Sequence, residues 1–122
     1  MFALGIAPPG YALLETRGRK TGKPRHVPVG NGRVGNQFWI IAEHGMSAGY
    51  VRNIAADSRV RLKLRNGILA RWHRGTAHLL PEDNPRERQQ WLVGQAAGSS
   101  GNGRLVRLFG TELLTVRIDL ED

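Results

Sequence analysis

The chain is predicted to be mostly β, an antiparallel barrel with helices inserted between its strands. Three observations lead there. Short apolar runs with strand-like patterning are punctuated throughout by Gly, Pro and Asn. One segment, 59–65, alternates apolar and cationic residues perfectly and runs into Asn66-Gly67, a strong hairpin signal. The order of elements lacks the strand–helix–strand rhythm of a parallel sheet.

The elements follow in chain order. A first strand spans 11–17 and closes in a Gly- and Pro-bounded turn at 18–24. A second strand, 25–30, precedes an Asn31-Gly32 turn. Residues 37–43, Gln-Phe-Trp-Ile-Ile-Ala-Glu, are so evenly apolar that a central strand buried on both faces is expected. Ser47 is placed to cap a helix through Ala56, with Val51, Ile54 and Ala55 as its apolar stripe. The 59–65 strand pairs through the Asn66-Gly67 turn with 68–72. Asn84-Pro85-Arg86-Glu87 has the form of a capping box and opens a helix to about Ala97, turning Trp91 and Leu92 inward. A flexible loop at 98–103 and a last strand at 111–120 complete the chain.

No linker divides residues 1–122, so one domain is expected, large enough to bury roughly two-thirds of its unfolded surface. No apolar run approaches bilayer-spanning length, and Met1 to Ala7 carries no basic leader, which points to the cytoplasm. Without cysteine there is no disulfide, thiol nucleophile or thiolate metal site. The four histidines, His26, His44, His73 and His78, are scattered without ligand spacing, so no metal is expected.

A net charge of +8 asks for an anionic partner. The densest charge is Arg17, Arg19, Lys20, Lys23 and Arg25, opposed nearby only by Glu15. Gly18 and Gly22 let that backbone bend closely around a ligand, and exposed amides with Arg forks suit phosphate or carboxylate. The turn is neither a Walker loop nor a Rossmann turn, because its glycine spacing is wrong and Pro24 opposes a following helix. No serine sits in a nucleophile elbow. A basic turn without an acid–base pair suggests that a bound cofactor supplies the reactivity.

The segment Leu13-Leu14-Glu15-Thr16-Arg17-Gly18-Arg19-Lys20-Thr21-Gly22-Lys23-Pro24-Arg25-His26-Val27-Pro28 resembles the signature of the deazaflavin-dependent nitroreductase family. There the form is Leu-Leu-x-Thr-x-Gly-Arg-Lys-Ser/Thr-Gly-x-Pro-Arg-x-x-Pro. A second block from Tyr50 to Val60 is similar to the family's Trp-Tyr-x-Asn-Leu-x-Ala-Asn-Pro-x-Val element. The resemblance implies a split β-barrel, related to the FMN-binding barrels of pyridoxamine-phosphate oxidases, and an F-420-type deazaflavin coenzyme. By position it implies that Arg19, Lys20 and Arg25, with Thr21 and Gly22 in the same turn, hold the phosphate and acidic tail. It implies that Pro28 lines the cofactor groove and that Ala42, Glu43 and His44 pass beside the ring. Tyr50 and Asn53 take the places of ring-contacting Trp and Asn. The chain departs from the family in having Tyr at 50, a short 43–50 connection and no tyrosines on the 86–97 helix.

The implied activity is hydride transfer from the reduced coenzyme to a small organic acceptor: a quinone, nitro compound or activated alkene. FMN in a flavin reductase of the same barrel type and a non-catalytic deazaflavin carrier remain alternatives. A nucleic-acid-binding barrel built on Arg59, Arg61, Lys63 and Arg65 is the contrasting reading. Phe2, Phe38 and Phe109 are not interleaved with that stripe as base stacking requires, so no nucleic-acid partner is expected. A homodimer is left open.

Overall fold

Seven antiparallel strands form one continuous sheet in the order β2-β1-β5-β6-β7-β4-β3. They are β1 (Tyr11–Arg17), β2 (Pro24–Gly30), β3 (Arg33–Val34), β4 (Gln37–Ala42), β5 (Arg59–Asn66), β6 (Leu69–Leu80) and β7 (Leu114–Leu120), with α1 (Gly49–Ala56) and α2 (Pro85–Ser100) inserted. This computed structural model describes residues 11–30, 32–66, 68–100 and 112–121. The sheet curls into an antiparallel half-barrel with two helices, the expected split-barrel architecture.

Alternation decides which side of each strand is buried. Leu14, Leu62, Phe38, Ile40, Val116 and Ile118 share the inner core with Ile54 of α1, and Tyr50 packs against its edge. The β5–β6 hairpin has the expected register, Asn66 opposite Leu69, but β6 continues to Leu80 and pairs with β7 over its second half. The 37–43 run forms β4 over Gln37–Ala42, beside only the two-residue β3 on one flank. Its burial on both faces has two sources: Phe38 and Ile40 enter the core, while Trp39 lies on the outer face under α2. There Trp91 meets Trp39 edge-on at 5.7 Å, and the Arg88 guanidinium sits 4.2 Å over Trp39 and 4.9 Å over Trp91.

Two helix starts contrast. Asn84 caps α2 as expected, its Oδ1 accepting from the amides of Arg86 and Glu87. Ser47 does not cap α1, which instead starts after Ala48 with no side-chain cap. Ser47 ends a short 3-10 turn, Gly45–Ser47, and its hydroxyl donates to Glu112 Oε2 at 3.2 Å. Gly45 has φ of 48°, and a Cβ there would strike the Glu112 carbonyl oxygen. The loop expected at 98–103 is corrected in its first part, because α2 continues through Ser100; 101–103 fall outside the described residues. Trp91 is only partly inward, at 37% exposure. The last strand begins at Leu114; Glu112 and Leu113 precede it, and Thr111 falls outside the described residues.

Candidate functional site

The turn between β1 and β2 is held by its own backbone. The Gly18 amide donates to the Lys23 carbonyl and the Gly22 amide to the Gly18 carbonyl, both at 2.8 Å. Gly22 has φ of 72°, which favours glycine. Thr21 Oγ1 accepts from the Lys23 amide at 3.3 Å. The amides of Lys20 and Thr21 have no partner among the described residues.

Helix α1 locks this turn in place through Asn53, which is buried to 5% exposure. Its Oδ1 accepts from the Arg19 amide at 3.2 Å and from Arg19 Nη1 at 3.0 Å. Its Nδ2 donates to the buried Thr16 hydroxyl at 3.0 Å. A buried amide with both ends engaged contributes more than its net hydrogen bonds, because losing it strands each partner.

Turn, β2 and α1 enclose a groove of about 490 Å³, in the range of small-molecule sites. Arg19, Lys20, Thr21, Arg25, Tyr50 and Asn53 line it together, joined by Thr16, Gly18, His26, Val27 and Gly49. Lys20 and Arg25 form no ion pair among the described residues, and Arg19 has only oxygen acceptors of uncharged groups. At the other wall, burial first and the Glu43 charge second push the Tyr50 hydroxyl up to about 12, so it remains a neutral donor.

Five of the expected site residues lie elsewhere. Gly22 belongs to the turn but does not line the groove. Pro28 is exposed on β2 opposite Leu13, on the other face of the strand from Val27. Ala42 is buried at the end of β4 against Leu114, and His44 is exposed at the 3-10 turn. Glu43 is exposed and acts on the groove through its charge on Tyr50. The lining residues that sequence reasoning passed over, Thr16, His26 and Val27, flank the cationic turn on its two strands; adjacency in the hairpin was their only signal.

A second groove of about 600 Å³ is lined by Arg17, Arg59, Arg61 and Arg74 together with Glu15 and Glu121. It is larger, but three of its arginines are already neutralised. Arg61 makes a two-pronged contact with Glu15 at 2.8 and 2.7 Å, and Arg59 and Arg17 both reach Asp57. His26 Nε2 adds a third contact to Glu15 at 2.9 Å. The Arg61 contact, opposed by desolvation and aided by His26, holds the Glu15 carboxyl below its usual range. Arg59 holds Asp57 down at about 2. Of the two grooves, the smaller therefore keeps cations free of carboxylate partners among the described residues, which suits an anionic ligand.

A curled antiparallel half-barrel with a cationic groove defines the split-barrel class that includes flavin-binding proteins. The chain belongs to the F420H(2)-dependent quinone reductase family, whose profile matches residues 4–121. It is an oxidoreductase that uses the deazaflavin coenzyme F420. Among solved structures it is similar to one described as an F420 reductase (16% identity, TM-score 0.67, 93% of this chain and 88% of that chain). Another, described as an F420-H2 dependent reductase, shares 21% identity at TM-score 0.57, over 90% of this chain and 94% of that one. A putative pyridoxamine 5'-phosphate oxidase from Listeria innocua matches at 12% identity and TM-score 0.61, over 93% and 85%. No curated protein matches significantly.

Proposed function

We propose that this chain passes hydride from reduced F420 to a quinone-class acceptor, with nitro compounds and activated alkenes as further acceptors to be tried. The observation that carries the reading is the groove in which Lys20 and Arg25 stay without ion pairs among the described residues, beside a neutral Tyr50 hydroxyl. Bound in its reduced form, the deazaflavin supplies the hydride.

The chain's own residues supply the rest. Arg19, Lys20 and Arg25, with the Lys20 and Thr21 amides, hold phosphate and tail carboxylates by charge-assisted hydrogen bonds. Asn53 holds Arg19 against α1, fixing the turn relative to the ring wall. Tyr50 Oη donates a hydrogen bond to oxyanion character developing on the acceptor. A phenol held near 12 keeps its proton at neutral pH, so the proton that completes reduction comes from water. Glu43, His44, Ala42 and Pro28 have no direct part in this arrangement. The test is fluorescence titration with F420, followed by anaerobic oxidation of reduced F420 with a soluble quinone. Binding with no quinone-dependent oxidation would reject the acceptor; no binding below about millimolar would reject the site.

A further inference from the structure

We propose that the tip of the β5–β6 hairpin docks on the surface of an anionic lipid bilayer. Ile68 is 94% exposed and Leu69 is 66% exposed, the two most exposed large apolar side chains among the described residues. They are consecutive residues at the turn end of the β5–β6 hairpin. Single exposed apolar residues are ordinary, but an adjacent pair at a hairpin end is an apolar contact surface.

Charge identifies the partner. From residue 58 to residue 81 there is no Asp or Glu, while Arg59, Arg61, Lys63, Arg65, Arg71 and Arg74 fall in that stretch. Lys63, Arg65 and Arg71, nearest the tip, form no ion pair among the described residues. In the register Arg65 faces Ala70 and Leu64 faces Arg71, so these cations lie on both faces of the ribbon. An apolar tip inside a cationic collar matches the acyl boundary and headgroups of an acidic membrane. A second copy at the tip would bring like charges together. Among the described residues of the turn, Ile68 and Leu69, nucleic acid would find no aromatic ring to stack on.

The topology makes docking compatible with catalysis. β5 runs antiparallel to β1, which places the tip at the opposite end of the sheet from the 18–25 turn, roughly 20 Å away along the strands. The bilayer surface would leave the F420 groove open to solvent. The proposed contact is peripheral, made by the hairpin tip; no described helix is long and apolar enough to cross a membrane.

The test is co-sedimentation of the intact protein with phosphatidylcholine vesicles, with and without phosphatidylglycerol. The protein is expected to bind only the anionic vesicles. An Ile68→Asp/Leu69→Asp variant should lose at least about tenfold in partitioning while keeping its circular dichroism and F420 affinity. Arg65→Glu/Arg71→Glu should lose binding to a similar degree. The proposal is overturned if the protein ignores anionic vesicles or if the apolar variant binds as tightly as the parent. It is equally overturned if light scattering shows the tip joining two copies with no lipid binding. F420 affinity is read separately, so failure here leaves the reductase reading standing.

Discussion

Two arginine-rich regions of this molecule lie on adjacent strands and are used oppositely. Along the outer face, Arg61 and His26 converge on Glu15, and Arg61 also stacks 4.7 Å from the Trp72 ring. Around the 18–25 turn, among the described residues, Lys20 and Arg25 have no carboxylate and Arg19 only amide and carbonyl oxygens. The first region has consumed its charge in holding strands together. The second keeps it available. Net charge of +8 thus says that an anion is welcome, while internal pairing says where it is not.

The sharpest way to break this contrast is to neutralise the unpaired set. Arg19→Ala/Lys20→Ala/Arg25→Ala should lower F420 affinity by about a hundredfold or more, read by fluorescence titration, since charge-assisted contacts are the strong ones. Its urea midpoint should move little, because among the described residues only the Arg19 contacts to Asn53 and to the Gly49 carbonyl are internal. Next comes the bridge: Asn53→Ala should cost about 2 kcal/mol in urea unfolding by stranding Thr16 and Arg19. Because the turn then loses its hold on α1, F420 affinity should fall about tenfold as well.

A smaller effect should separate ring chemistry from binding. Tyr50→Phe should leave F420 affinity within about twofold and reduce turnover about tenfold. In the parent, the tyrosine's own titration, centred at about 12, should leave the rate profile flat through neutral and mildly alkaline pH.

The paired region gives the converse. Glu15→Gln should cost about 1–2 kcal/mol of stability with F420 affinity unchanged. Its pH dependence has a definite sign. A carboxylate whose folded value lies below its ordinary 4.5 adds stability that is present above 4.5 and lost as pH falls through the lowered value. Acid unfolding of the parent should therefore steepen below pH 4.5 relative to Glu15→Gln.

What was readable in the sequence was local. The hairpin at Asn66 followed from two-residue alternation and turn chemistry, and the α2 cap from Asn84 and Pro85. The cationic turn was visible as a cluster, and the residues Arg19, Lys20, Thr21, Arg25, Tyr50 and Asn53 do meet at one groove. What escaped depended on distant partners. Ser47 looks like a cap from its neighbours, yet Glu112, 65 positions later, takes its hydroxyl. Trp39 looks like core, yet its burial depends on Arg88 and Trp91 of a helix far along the chain. Neutralisation of Arg61 likewise required knowing that β5 pairs with β1, which places Arg61 opposite Glu15.

The Asn53 bridge has a thermodynamic corollary. One carboxamide oxygen gathers both the main chain and the side chain of Arg19, so this loop loses its freedom when the protein folds and not when the coenzyme arrives. At the coenzyme site proposed above, association then has mainly the coenzyme's own motion to arrest.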